Sequence, residues 1–177
     1  MANINFTPFP TLITERLTLR KLSSYDQHNI FALRSDAETN KYLSREPSKT
    51  VEDAIRFINN INTNIENNAC IYWAVSLTST KTFVGTICLF DFSSEKDSCE
   101  IGYELIPKFQ KQGIMKEAAE AVVQYAFQTL KLQKIVAVTH NENHNSTRLL
   151  AKLNFVAFKE ATKKNSTSRA YALSRMQ

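Results

Sequence analysis

The stretch Glu100–Ala118 constrains this chain more than any other. Glu100-Ile101-Gly102-Tyr103-Glu104-Leu105-Ile106 is a strand-like run ended by Pro107. A basic turn follows, and Gly113 then opens a helical pattern with Ile114, Ala118, Val122, Tyr125 and Ala126 on one face. The β-branched run Lys134–Thr139 comes next and reads as a buried strand. A strand, a crossover helix and a strand make the two strands parallel neighbours with the helix on one face. The chain holds only three glycines in 177 residues, against a usual share of about 7%. A glycine kept at this turn marks a place where a side chain is costly. Backbone amides converging there at a helix N-terminus suit an anion. The turn 107–113, beyond the carboxyl end of the strand, is therefore the expected seat of a phosphate-bearing ligand.

The remaining pattern surrounds this unit. Arg16–Leu22 alternates with period two and reads as a strand. Ser23 or Ser24 caps a helix over about Tyr25–Arg34. Thr50, with Asp53 three residues on, starts a second helix with the stripe Val51, Ile55, Ile58, Ile61 and Ile65. The polar, proline-containing segment Arg34–Lys49 between them is a candidate substrate-facing loop. Ile71–Leu77, Phe83–Phe92 and Ser98–Ile106 form a β-meander separated by turn-forming stretches. Asn145–Leu153 is helical, and Asn154 suits a left-handed residue ending it. Phe155–Glu160 and Arg169–Leu173 are closing strands. The order β-α-α-β-β-β-α-β-α-β-β is a mixed α/β layout.

Composition narrows the function classes. With 43% hydrophobic residues and eleven Phe, the chain is expected to bury one core as one domain over 1–177. No run approaches the ~20 apolar residues of a membrane span, and Met1–Pro10 lacks a secretory pattern, so a cytoplasmic location is expected. Cys70, Cys88 and Cys99 are odd in number and lack C-x-x-C spacing, which indicates neither a disulfide framework nor a zinc site. His140 and His144 lie in an Asn-rich, non-helical stretch, so no metal site is expected. The net charge of +5 includes the short cluster Lys163–Lys164 but no basic stripe with interleaved aromatics. That argues against nucleic acid and suits a polyanionic small ligand.

Four segments together resemble the GCN5-related N-acetyltransferase (GNAT) family, over nearly the whole chain. They look closest to its ribosomal-protein N-terminal acetyltransferase (RimJ/RimL-like) branch. Thr14-Glu15-Arg16-Leu17-Thr18-Leu19-Arg20 looks like that branch's opening strand, and Glu100-Ile101-Gly102-Tyr103 like its fourth strand. Gln110-Lys111-Gln112-Gly113-Ile114-Met115 matches the acetyl-CoA loop, usually written Gln/Arg-x-x-Gly-x-Gly/Ala. Asn143-x-x-Ser146 followed by Lys152-Leu153-Asn154-Phe155 resembles the family's Asn-x-x-Ser and Lys-x-Gly-Phe ending. Three positions depart. Met115 replaces a small residue, Asn154 replaces Gly, and Leu150 stands where many members carry a Tyr that protonates the departing thiolate. In the branch resembled here, the Ser at the position of Ser146 is the implied substitute.

The resemblance implies an α/β (α+β) GNAT fold: a mixed, mostly antiparallel sheet of about seven strands, a β-α-β acetyl-CoA unit and about four helices. It implies acetyl-CoA as cosubstrate, without a metal, and direct transfer to an amine without an acyl-enzyme. The amides of Lys111, Gln112, Gly113, Ile114 and Met115 would bind the CoA pyrophosphate at the helix N-terminus. Lys108, Lys111 and Lys116 would add attraction. Leu105 and Ile106 would pair their backbone with the pantetheine arm, and Asn143 would bond to it from the facing strand end. An α-amino group has a pKa of about 7.7–8.0 against about 10.4 for Lys. One carboxylate acting through water therefore suits a protein or peptide N-terminus, a ribosomal protein being the partner that the branch implies. Glu100 is the candidate base, with Glu104 on the same strand face in reserve. Ser146 is read as catalytic, although it also suits a helix N-cap. A small-molecule amine acceptor (polyamine, amino acid or antibiotic) and a non-catalytic CoA-binding sensor are the alternatives. Monomer and homodimer stay open.

Overall fold

The computed structural model of the chain describes residues 4–95, 97–158 and 167–175. Eight strands form one sheet in the order β1-β2-β3-β4-β5-β6-β8-β7. They are β1 (Leu12–Ile13), β2 (Leu17–Lys21), β3 (Ile71–Leu77), β4 (Phe83–Phe90), β5 (Ser98–Leu105), β6 (Lys134–His140), β7 (Val156–Phe158) and β8 (Ser168–Ser174). Among the described residues the α-helices are α1 (Gln27–Ser35), α2 (Ala37–Asn40), α3 (Val51–Glu66), α4 (Ile114–Gln128) and α5 (His144–Lys152). All pairings are antiparallel except β5 with β6. The sequence pattern led to about seven strands and four helices. The additional elements are β1, two residues long, and α2, four residues long inside the expected loop 34–49. Both are too short to carry a periodic signal. The end of the expected strand 155–160 and the Lys163–Lys164 cluster lie outside the described residues.

The sheet is covered on both faces, which explains why β3 reads as an unbroken apolar run rather than an alternating one. Phe57 of α3 meets Tyr72 edge-on at 5.5 Å between centroids, placing α3 on the Tyr72 face. Tyr125 of α4 meets Trp73 at 5.7 Å, placing α4 on the other. The Trp73 indole is fully buried, and its Nε1–H donates to the Pro10 carbonyl at 2.7 Å. The expected stripe of α4 is buried as read from the sequence. That of α3 is rotated. Ala54, Ile58 and Ile65 are buried whereas Ile55 is exposed, because the inward stripe follows 54, 58, 61 and 65 and Ile55 falls on its flank. Thr50 caps α3 through a reciprocal capping box with Asp53. Asn154 is left-handed at φ 63° and ends α5.

One buried carboxylate pins α1 to the sheet. Asp26, 2% exposed, accepts both terminal nitrogens of Arg20 at 2.8 and 2.7 Å and the Ser23 N–H at 2.9 Å. Burial alone would raise its pKa, but Arg20 and Ser23 outweigh burial and hold it below the ordinary value. A carboxyl whose folded pKa is depressed stabilises above its unfolded value of about 3.9, and the gain is lost as pH falls through the folded value. Asp26→Asn is therefore expected to cost roughly 2–3 kcal/mol at pH 7. Chemical denaturation should show this deficit shrinking below about pH 4.

Candidate active site

β5 and β6 run together for only three register pairs, from Ser98 opposite Lys134 to Glu100 opposite Val136, and then part. Each is held straight from its outer side. β4 pairs with β5 as far as Leu105, and β8 pairs with β6 as far as His140. The Ile106 N–H donates to the Val84 carbonyl at 2.9 Å. By strand alternation, the main-chain groups of Tyr103 and Leu105 then face the gap left by β6. The Leu105 carbonyl accepts the Gln110 side-chain amide at 3.2 Å, which leaves its N–H directed into the gap.

A cavity of about 600 Å³ fills this gap. Its floor is Tyr103, Glu104 and Leu105, and one wall is the start of α4 with Lys111, Gly113, Ile114, Met115 and Lys116. Asn143, Ser146 and Arg148 of the α5 region form the facing wall. The segment that follows α2 closes the third side with Lys41, Tyr42 and Leu43. Tyr42 stacks on His140 at 5.3 Å, tying that segment to the end of β6 across the opening.

The turn into α4 is held by backbone geometry and by the opening strand. Lys111 and Gly113 are both left-handed, at φ 61° and 77°. Thr14 and Arg16, beside β2, grip the turn from behind. The Arg16 guanidinium donates to Glu117 at 2.6 Å and to the Gln112 carbonyl at 3.1 Å. Thr14 Oγ1 donates to the other Glu117 oxygen. Burial would raise the Glu117 pKa, but Thr14 and Arg16 outweigh it and keep the carboxyl below its ordinary value. The one acid in the first turn of α4 is thus turned away and neutralised. Ile114, Met115 and Lys116 hold the first-turn amide positions that lack an intrahelical acceptor.

Facing this turn, Asn143 caps α5 by accepting the Ser146 N–H at 3.1 Å. The capping role read for Ser146 falls to Asn143, three residues earlier, because α5 starts at His144. The Ser146 hydroxyl instead shares a hydrogen bond of 2.8 Å with the Tyr103 hydroxyl. Burial pushes the Tyr103 phenol up to about 12, against the opposing pull of Ser146, so it keeps its proton at neutral pH. On the other face of β5, Glu104 is ion-paired with Arg45. Glu104 lines the cavity and Glu100 does not. At about 3.3 Å per residue, Glu100 sits about 13 Å back along β5, where the strands are still paired. The structure thus brings together Leu105, Lys111, Gly113, Ile114, Met115, Lys116, Asn143 and Ser146 of the residues singled out in the sequence. Glu100, Ile106 and Gln112 lie outside the lining. Periodicity gave no hint of Tyr103, Arg45 or the Tyr42–His140 stack, since each pairing joins residues far apart in the chain.

Comparison with known proteins settles the class. Residues 16–156 match the family model described as an acetyltransferase (GNAT) domain. The chain belongs to the GNAT acetyltransferase family. It is 35% identical over 147 residues to the uncharacterized N-acetyltransferase YoaA of Bacillus subtilis (strain 168), covering 83% of each chain. Two solved structures share the fold at lower identity. The ribosomal-protein-S5-alanine acetyltransferase of Vibrio fischeri has a TM-score of 0.77 and 20% identity, over 93% of this chain and 96% of that one. The spermidine N-acetyltransferase of Vibrio cholerae, in complex with CoA and spermine, has a TM-score of 0.77 and 22% identity, over 91% and 96%. This chain is accordingly an N-acetyltransferase of GNAT type. No helix of the described residues is long and apolar enough to cross a membrane.

Two glycines, Gly113 in the cavity lining and Gly85 on β4 opposite Leu105, are kept for different reasons. A Cβ on Gly85 would lie 2.2 Å from the Glu104 carbonyl oxygen, whereas one on Gly113 meets only Arg16 at 3.5 Å. Gly113→Ala is therefore expected to cost about 1–2 kcal/mol through its left-handed backbone. Gly85→Ala should cost more, about 3 kcal/mol, because β4 and β5 must separate. Denaturant midpoints of the two variants check the ranking.

Proposed function

We propose that the chain transfers the acetyl group of acetyl-CoA directly to the α-amine of a protein or peptide N-terminus, of the ribosomal-protein type. The observation that carries this reading is the balance of charged side chains around the cavity. Glu38 and Glu104 are the carboxylates of the lining, against Lys41, Lys111, Lys116, Arg148 and Lys152, and Glu104 is already paired with Arg45. Carboxylates are few in such a lining and cations many. This site serves an amine whose pKa is about 7.7–8.0 and fails a lysine, whose deprotonation costs roughly 4 kcal/mol at neutral pH. A polyamine, which calls for several carboxylates, fits it poorly. The opening-strand and fourth-strand motifs add the resemblance to the ribosomal branch.

In this reading the pyrophosphate of acetyl-CoA lies on the amides of Gly113, Ile114, Met115 and Lys116, favoured by the helix dipole. The Leu105 N–H and the Asn143 side chain hold the pantetheine arm. Ile106 contributes through position alone, its N–H being engaged by Val84. The Tyr103 N–H polarises the thioester carbonyl. The amine nitrogen attacks that carbon, the carbon–sulfur bond breaks, and the amine proton passes through water to Glu104. Glu104 takes this part rather than Glu100 because it stands in the cavity. The departing thiolate takes its proton from Ser146, which is resupplied by Tyr103 at 2.8 Å, and water in the cavity returns a proton to Tyr103 as Glu104 releases the one it took from the amine.

The test is CoA thiol release from acetyl-CoA with free and N-acetylated peptides as acceptors. Turnover is expected on free N-termini alone. Glu104→Gln should lower kcat/KM about 10²–10⁴-fold and Glu100→Gln only a few-fold, while Ser146→Ala lowers kcat with little change in KM for acetyl-CoA. Tight acetyl-CoA binding without turnover on any amine would favour a CoA sensor instead.

A further inference from the structure

Resting on that reading, we infer that the acceptor carries a carboxylate close to its reacting amine, and that this carboxylate takes Arg45 while the amine takes Glu104. Arg45 is aimed, not loose. Its Nε–H donates to the Asn40 side-chain oxygen at 2.8 Å. Asn40, buried at 8% exposure, is fixed in turn by donating to the carbonyls of Arg34 at 3.0 Å and Asp36 at 2.7 Å. The guanidinium end then meets Glu104 on the cavity floor, where its Nη2 is buried, so a ligand carboxylate reaches it by taking the place of Glu104 in that pair.

Positive charge is in excess at this spot. Arg34 lies behind the pair with its guanidinium carbon 3.9 Å over the Phe57 ring, and its Nε–H is buried without a hydrogen-bond partner. Burial and the like charge of Arg45 lower its pKa while Glu104 opposes them, which places all three in one electrostatic cluster. The neighbouring Tyr72 phenol is pushed far up by burial and then by Glu104, and adds no negative charge. Glu104 is thus ion-paired with Arg45 alone, while the Arg34 charge also acts on this spot. An ammonium arriving alone must displace Arg45 from Glu104 and leave two uncompensated cations in a half-buried place. An acceptor bearing its own carboxylate exchanges one ion pair for two. A peptide N-terminus with an acidic second residue has this chemistry.

The experiment compares peptides that differ only at the second position, Ser-Glu, Ser-Gln and Ser-Lys, with acetyl-CoA and the full chain. The expected order of kcat/KM is Glu, then Gln, then Lys. The Glu-to-Gln ratio should be at least about tenfold, the scale of one charge-assisted hydrogen bond, and should shrink as salt is raised. In Arg45→Gln the ratio should fall to near one. Equal rates for the Glu and Gln peptides with wild type overturn this inference and leave the α-amine reading standing. A ratio that survives in Arg45→Gln overturns it too. Should that variant not fold, the wild-type ratio decides alone. Failure of all three peptides removes the α-amine reading, and this inference with it.

Discussion

The separation of β5 from β6 is the constraint on which the rest of this structure depends. Main-chain N–H and C=O groups in a sheet interior are almost always paired, so two neighbouring strands that part after three register pairs need a reason to do so. Here the outer neighbours supply it: β4 holds β5 from Glu100 to Leu105, and β8 holds β6 along its full length. The twist and direction of each strand are set from outside, and the gap cannot close by local adjustment. The crossover through α4 must also leave the end of β5 and return to the start of β6, which puts a helix N-terminus at the mouth of the gap. An unpaired strand edge and an unpaired helix end therefore meet in one place. The edge offers directional donors, and the helix end offers donors with a favourable field for negative charge.

That field would be weakened by an acid in the first turn, and α4 has one at Glu117. The structure turns this residue to use. Its carboxylate is bound by Thr14 and by the Arg16 side chain and main chain, while Arg16 also reaches the Gln112 carbonyl. The residues that lead into β2 thus fix the turn that starts α4, about one hundred positions later in the chain. A left-handed Lys111 two residues before a left-handed Gly113 is a strained arrangement for a non-glycine residue, and it persists because the brace and the Gln110 and Gln112 side chains hold the turn on both sides. The same economy appears at Asp26, where a single buried carboxylate ties β2 to α1. Both devices rest on the arginines of the opening strand.

How much of this was legible depended on sequence distance. The meander, α3, α4 and the helix stop at Asn154 follow from periodicity, capping chemistry and a single left-handed position, all of them local. The parallel β5–β6 pair follows from the crossover rule. The wall formed by the segment after α2 was visible only as a polar loop. Its useful content lies in Arg45 meeting Glu104 and Tyr42 meeting His140, contacts that no window of residues contains. The choice between Glu100 and Glu104 shows the limit most clearly. Period two places both on one face of one strand and gives no means of telling them apart. What separates them is where β6 leaves β5, a property of the other strand's partners. The helix cap illustrates the reverse case: Asn143 and Ser146 are both good capping residues, and a shift of three positions in the helix start frees the serine hydroxyl for another partner.

That freed hydroxyl bears on the missing tyrosine. Leu150, at the position where the family pattern has a Tyr, is fully buried and has no proton to give. Yet a phenol is present, carried by β5 rather than by α5. Tyr103 reaches Ser146 from the sheet, and its burial keeps it protonated. The pair spans the gap at its floor, one hydroxyl from each side, so it both fixes the approach of α5 to β5 and leaves an O–H at the cavity surface. A phenol delivered through a serine holds its proton more tightly than an exposed one, and a shared hydrogen bond between two hydroxyls lets a proton lost by one be replaced by the other. In the proposed transfer, the hydroxyl pair carried by β5 and α5 takes the part for which Leu150 has no proton.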